Sequence, residues 1–150
     1  MRTAIAAQYD VLLDKILKRR GVVQTQPVSP SLAIPLMRAA YDEGRPELQA
    51  LWASLIADAM DPARAGRVRI SFIDTLKRFD PLDALVLRAR YDDQGEMRPT
   101  ARDRIAELLQ QSLEEVEISV ENLEALKCVV AAPNFFVTSY GRALIRACSD

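Results

Sequence analysis

The fold of this chain is decided by residues 46–62, PELQALWASLIADAMDP, which we predict to form one buried helix. Its apolar residues recur at the spacing that aligns side chains on one helix face: Leu48, Leu51, Trp52, Leu55, Ile56 and Ala59. Pro46 suits the first turn, and Glu47 places negative charge at the positive end of the helix dipole. Pro62 disfavours helical geometry at Asp61 and ends the run. We therefore expect a core helix around which the other elements pack.

The bulk composition indicates an ordinary soluble protein. The chain has 150 residues, of which 49% are hydrophobic and 27% are charged, and this length corresponds to about one domain. No apolar run approaches the roughly 20 residues of a membrane span. Cys128 and Cys148 are not clustered, which favours two reduced core cysteines. We expect a cytoplasmic protein that does not associate with membranes.

Charge is divided unequally along the chain. Residues 1–79 carry twelve Lys or Arg against eight Asp or Glu, a net charge of +4, whereas residues 80–150 carry eight against thirteen, a net charge of −5. The two halves therefore attract each other, within one chain or between two chains. A simple difference between two solvated surfaces remains the alternative.

The amino-terminal half, residues 1–79, is predicted to be a helical layer. A first helix covers residues 3–20, and its closing residues Lys18, Arg19 and Arg20 suit a helix carboxyl end. The proline-containing segment 22–30 is a linker, and a second helix begins at Ser31. After the organising helix and an arginine-rich loop, a further short helix begins with Ser71 as N-cap.

The carboxy-terminal half, residues 80–150, is predicted to be a winged-helix module. Asp80 caps a helix whose expected core face is Leu82, Leu85, Val86 and Ala89, and further helices follow Thr100 and Ser112. Residues 128–138 then form a small β-hairpin around Pro133-Asn134, and Ser139 caps a last helix. The predicted fold is thus mainly α, with an amino-terminal helical layer and a carboxy-terminal winged-helix module in one compact unit.

Three stretches together resemble one bacterial family. They are ELQALWASLIADAMDP, FIDTLKRFDPLDALVL, and ISVENLEALKCVV with VTSYGRALIRAC. Their amino-acid sequences and their order along the chain resemble those of the abortive infection alpha family. The resemblance covers roughly residues 28–148 and leaves the first helix outside. It implies a cytoplasmic bacterial protein associated with defence against phage, in a family whose other members carry a longer amino-terminal region.

The residue inventory argues against an enzyme. The chain has no histidine and its five glycines are scattered, so histidine-based catalysis, histidine metal sites and phosphate-binding glycine loops are excluded. Asp58 and Asp61 are three residues apart, but we expect solvated carboxylates at a helix end there and not a cation site. We predict no catalytic residue, no cofactor, no metal and no small-molecule substrate.

Two groups of residues are candidates for binding. Arg64, Arg67 and Arg69, in the loop after the organising helix, form a possible anion site, although a solvated loop is the alternative. The residues of a possible interaction surface are Tyr9, Leu13, Ile16, Phe135 and Phe136. A first helix that packs on a second copy across a two-fold axis predicts a homodimer, whereas a first helix that folds back predicts a monomer.

The expected function is an interaction or scaffold protein of a phage-defence system that acts through protein–protein contacts with an unidentified partner. Glu114, Glu115 and Glu117 at the start of the expected recognition helix would face the phosphates of DNA, so binding to duplex DNA is not expected. The alternative is a nucleic-acid-binding winged-helix regulator that uses the basic amino-terminal half, including Lys18, Arg19, Arg20 and the three loop arginines.

Overall fold

The computed structural model describes residues 2–92 and 101–149, and this part of the chain is mainly helical. Its helices are α1 Arg2–Arg19, α2 Pro30–Asp42, α3 Pro46–Met60, α4 Ile70–Leu76, α5 Pro81–Asp92, α6 Ala101–Leu109, α7 Leu113–Ala125 and α8 Ser139–Ala147, with a short 3₁₀ turn at Ala65–Arg67. Strands β1 Val129–Val130 and β2 Phe136–Val137 pair antiparallel, with Val129 opposite Val137. The mainly helical fold and the small hairpin are confirmed.

The chain divides into two compact units. The first consists of Met1–Arg78 together with Arg146–Asp150, and the second of Phe79–Ile145. The return of the last residues to the first unit is not visible in the sequence pattern, because it depends on contacts between distant parts of the chain.

The core of the first unit is built on α3. Every residue from Trp52 to Ala59 is buried, and both α1 and α2 pack on this helix. The Tyr9 hydroxyl of α1 donates a hydrogen bond of 2.7 Å to the carbonyl oxygen of Ala40 in α2. The predicted organising helix is therefore confirmed, and it is buried on all sides along its second half.

Two helix starts in the first unit differ from the prediction. Helix α2 begins at Pro30, one residue before Ser31, because proline suits the first helical position. Pro35 consequently lies in the second turn, where its ring nitrogen cannot donate a backbone hydrogen bond. Helix α4 begins at Ile70 after Arg69, and the predicted cap at Ser71 is wrong.

In the second unit, α5 begins as predicted but presents a different face. The backbone N–H of Asp80 donates to Oδ2 of Asp83 over 2.8 Å, as expected of a capped start. Val86 is buried, but Leu85 is exposed and the polar residues Asp83 and Arg90 are buried in its place. The helix is thus rotated from the predicted apolar face, because both polar side chains find partners inside the unit.

The hairpin leads directly into α8. The Thr138 hydroxyl accepts the backbone N–H of Gly141 over 3.0 Å and donates to the carbonyl oxygen of Lys127 over 2.6 Å. Thr138 therefore caps α8, and the predicted cap at Ser139 is wrong because Ser139 is already helical. At Gly141 a Cβ atom would collide with the carbonyl oxygen of Cys128, so only glycine permits this close approach.

The second unit has the order of three helices, a hairpin and a final helix that the sequence predicts. This order is consistent with a winged helix, which itself stays a prediction. The predicted cap at Thr100 and the predicted helix end at residues 93–95 lie outside the described residues.

Candidate functional site

The first unit encloses a group of charged residues around Asp58, near the end of α3. Oδ1 of Asp58 accepts a hydrogen bond from Nη1 of Arg20 at 2.5 Å, and both side chains are almost completely buried. Nη1 of Arg64 lies 3.8 Å from the same oxygen, and Nε of Arg64 lies 3.9 Å from Oδ2 of Asp61. We call Arg20, Asp58, Asp61 and Arg64 the Asp58 cluster.

The Asp58 cluster also binds Ser149, in the segment that follows α8. Nη2 of Arg20 donates to the carbonyl oxygen of Ser149 over 3.0 Å, and Nη1 of Arg64 donates to the same oxygen over 3.3 Å. Two arginines that are far apart in sequence therefore bridge a buried carboxylate and the segment that follows α8. These contacts attach Ser149 to the first unit, to which residues 146–149 belong.

The electrostatics of Asp58 are unusual. Burial raises the pKa of Asp58 to about 6, although the positive charges of Arg20, Arg64 and Arg67 act in the opposite direction. Within the part of the chain that the structure describes, Oδ2 of Asp58 has no hydrogen-bond partner. The carboxyl group can therefore take up a proton near neutral pH, but its burial keeps it away from a dissolved substrate.

This geometry corrects the expectation for the carboxylates that end α3. Asp58 and Asp61 are buried and face arginines, so the expected solvated helix end is wrong. A sequence signal was present, because α3 is apolar on nearly every side and a carboxylate within such a helix requires a buried partner. Among the described residues, no group of three or more histidine, cysteine or acidic side chains could hold a metal ion.

The three arginines of the predicted anion site have different environments. Arg64 is half-buried and belongs to the Asp58 cluster, whereas Arg67 and Arg69 are exposed. The guanidinium of Arg64 already faces two carboxylates, and this reduces what it can offer to an external anion. The anion site stays a prediction that now depends on Arg67 and Arg69.

The predicted interaction surface needs correction at two positions of α1. Tyr9 is 1% exposed and Ile16 is 6% exposed, so both belong to the core of the first unit. Leu13 is half-buried. The apolar face of α1 is therefore used largely within its own chain, which is the alternative that the sequence left open, because α3 offers it an apolar helix to pack against.

The two phenylalanines of the hairpin separate as strand alternation requires. Phe135 is buried and Phe136 is half-buried. The guanidinium carbons of Arg90 and Arg102 lie 5.8 Å and 5.5 Å from the centre of the Phe135 ring, within the range of cation–π interactions. Nε of Arg90 also donates to the carbonyl oxygen of Phe135 over 2.8 Å, and Arg102 donates to that of Ala131. Arg90 of α5 and Arg102 of α6 thus bind the loop of the hairpin, and Phe136 is the more accessible of its two phenylalanines.

The outer face of α7 is acidic and partly apolar. Its exposed carboxylates are Glu114, Glu115, Glu117, Glu121 and Glu124. Ile118 is 54% exposed among them, and no residue of α7 is a lysine or arginine. We call Glu114, Glu117, Ile118 and Glu121 the α7 face. The sequence pattern shows these carboxylates but does not predict that Ile118 is exposed. The buried face of α7 is already filled by other apolar residues, so Ile118 lies outside it.

The thiols and the helix lengths add two observations. Cys128 and Cys148 are both buried and neither is in a disulfide, as predicted, and burial raises the pKa of the Cys128 thiol, with Asp83 adding to the effect. A protonated, buried thiol is a poor nucleophile.

Within residues 2–92 and 101–149, no helix combines the length and apolarity needed to cross a membrane.

Comparison with known proteins identifies the family. No curated protein and no solved structure matches this chain. A family model described as abortive infection alpha matches residues 5–148. The match includes residues 5–19 of α1, so the expectation that the first helix lies outside the family resemblance is wrong. The chain belongs to the abortive infection alpha family, whose name associates it with the defence of bacteria against phage.

Proposed function

We propose that this protein is a cytoplasmic, non-enzymatic component of phage defence that acts by binding another protein through the α7 face. The observation that carries the proposal is the exposure of Ile118 within a surface of glutamates. Apolar side chains surrounded by charge are typical of protein contact surfaces, where the apolar part supplies affinity and the charges supply orientation. A partner segment with one apolar side chain flanked by lysines or arginines would fit this surface.

The charge of the α7 face argues against the alternative of duplex DNA binding by a winged helix. In that arrangement the helix before the hairpin enters the major groove, and its side chains approach phosphates and base edges. Here that helix exposes Glu114, Glu117 and Glu121, which phosphates repel. Residues 131–135, between the two strands, contain no lysine or arginine either.

The basic residues of the amino-terminal half give the alternative limited support. Arg20 and Arg64 face buried carboxylates, and Lys18 lies 3.1 Å from Asp14 on the surface of α1. Arg19, Arg67 and Arg69 are exposed and would have to carry most of the phosphate contacts. When a few arginines contact phosphates, counterions are released from the nucleic acid. The resulting binding of nucleic acid is weak, depends on salt and has no sequence preference.

The proposal is tested by reversing the charge of the α7 face. We expect cells that produce the wild-type chain to resist phage, and cells that produce Glu117→Lys/Glu121→Lys to lose at least about tenfold of that protection, because charge reversal repels a basic partner by more than about 1.4 kcal/mol. The matched control is Asp10→Lys/Asp74→Lys, which changes two exposed carboxylates of the first unit and shifts the net charge equally. Plaque counts and thermal melts are measured for all three proteins.

Full protection by the α7 variant would contradict the proposal. A fluorescence-anisotropy titration with duplex DNA at physiological salt tests the alternative. Binding tighter than the roughly micromolar non-specific range would favour the nucleic-acid regulator.

A further inference from the structure

The strongest remaining surface lies on α2, in the first unit. Leu36, Ala39 and Ala40 form its buried side. At about 100° per residue, Ile34 and Tyr41 fall on the opposite side of the helix. Ile34 is 57% exposed and Tyr41 is half-buried. An apolar stripe therefore lies on the outer side of α2, and its Tyr41 ring also contacts the ring of buried Tyr9, with the ring centroids 6.0 Å apart.

This outer side forms a shallow groove of about 350 Å³. The residues that line it all belong to α2: Ala33, Ile34, Met37, Arg38, Tyr41 and Asp42. Its surface is mainly apolar, and the charged residues among its described lining are Arg38 and Asp42, which are four residues apart. We call these residues the α2 stripe.

We propose that the α2 stripe pairs with the α2 stripe of a second copy, antiparallel across a two-fold axis. Arg38 and Asp42 follow one another along the helix, so reversing the direction of the second helix brings the arginine of each copy toward the aspartate of the other. A parallel pair would place like charges side by side. The charge order of the stripe is therefore complementary to itself in the antiparallel arrangement.

Simple helix geometry defines the register. An axis level with Ala39 places Met37 of each copy opposite Tyr41 of the other, so that the two large apolar side chains cover each other. In the same register Arg38 lies about 3 Å along the helix from Asp42 of the second copy, at 1.5 Å per residue. The long arginine side chain spans that offset. The apolar and charged contacts are thus satisfied by one alignment.

The size of the surface limits the affinity. Helix α2 has 13 residues, about 20 Å of helix, and one such helix pair buries an area at or below the lower end of stable interfaces. The expected dissociation constant is therefore micromolar, on the order of 10 µM. This contact uses different residues from the α7 face, and its failure leaves the proposed function intact.

Charge exchange provides the test. Sedimentation velocity of the full chain, from about 1 to about 200 µM, should show a monomer–dimer equilibrium. Arg38→Asp and Asp42→Arg should each raise the dissociation constant at least about tenfold, because each places two like-charged pairs across the axis. The double variant Arg38→Asp/Asp42→Arg restores the opposite charges and should return the constant to within about threefold of the wild type.

Two further proteins make the result unambiguous. Val23→Asp adds a charge at a residue that is 99% exposed and lies outside the stripe, and it should leave the equilibrium unchanged. Ile34→Asp should abolish the dimer while keeping the wild-type thermal melt, because its side chain lies outside the core. A wild-type chain that remains monomeric at about 200 µM would overturn the proposal. A dimer that tolerates both single charge reversals would overturn it as well.

Discussion

Asp58 of the first unit and Asp83 of the second unit are both buried, and their carboxylates are stabilised in different ways. Asp58 of the first unit faces the guanidinium groups of Arg20 and Arg64, and one of its oxygens has no hydrogen-bond partner among the described residues. Asp83 of the second unit is bound by neutral donors. Its Oδ1 accepts from the Ser119 hydroxyl over 2.7 Å, and its Oδ2 accepts from the Asn122 amide over 2.6 Å and from the backbone N–H of Asp80.

The difference shows what a buried carboxylate requires. Charged partners compensate the loss of hydration through Coulomb attraction, which depends on both charges remaining in place. Neutral donors compensate it through hydrogen bonds to each oxygen, which fix geometry without a second buried charge. Removal of one partner should therefore be more damaging at Asp58 than at Asp83.

The largest effect is expected from Arg20→Met. The substitution leaves the Asp58 carboxylate buried without its closest cation, and breaking a buried ion pair in this way costs about 3–5 kcal/mol. The double variant Arg20→Met/Asp58→Asn removes both charges and should recover most of that loss. Urea unfolding at pH 7 measures both proteins, and equal stabilities of the single and double variants would show that the pair is not coupled.

The next effect is a pH dependence that belongs to Asp58. The folded chain keeps the Asp58 proton up to about pH 6, whereas the unfolded chain loses it near the ordinary value of 3.8. Between these values the folded state binds more protons, so this contribution to stability is complete at low pH and is lost as the pH rises. Relative to Asp58→Asn, the wild type should lose about 3 kcal/mol between about pH 3 and about pH 7.

Denaturant unfolding of both proteins across this pH range measures the loss. In the Arg20→Met background the decrease should move to higher pH, because Arg20 favours the charged carboxylate. Parallel pH profiles of the wild type and Asp58→Asn would contradict the raised pKa.

The smallest effect of the three is expected at Asp83. Asp83→Ala removes the acceptor of three hydrogen bonds and leaves the Ser119 hydroxyl without this partner, at a cost of about 2–3 kcal/mol. Ser119→Ala, which removes only one of those bonds, should cost about 1 kcal/mol. Chemical denaturation of both variants gives the comparison. A loss at Asp83 larger than that of Arg20→Met would reverse the proposed order of the two sites.

Local sequence signals predict much of the fold. The apolar spacing of residues 46–62 predicts α3, and the Asp80-Pro81 start and the apolar spacing that begins at Leu113 predict two helices of the second unit, because these signals involve neighbours a few residues apart. The hairpin around Pro133 is predicted for the same reason. The family resemblance likewise rests on contiguous motifs, although the match extends further toward the amino terminus than those motifs do.

Tertiary structure decided which polar residues lie inside. Arg20 meets Asp58 across 38 positions, and Asp83 meets Ser119 across 36 positions. The apolar periodicity predicts Leu85 in the core and Asp58 in solvent. It considers only the spacing of apolar residues and contains no information about hydrogen-bond donors that are distant in sequence. The sequence therefore determined where most of the helices lie and that the chain belongs to the abortive infection alpha family. The packing of distant segments determined which charged residues are buried and which faces of α2 and α7 stay exposed. A charge can be buried only beside a partner, and the local sequence pattern does not contain that partner.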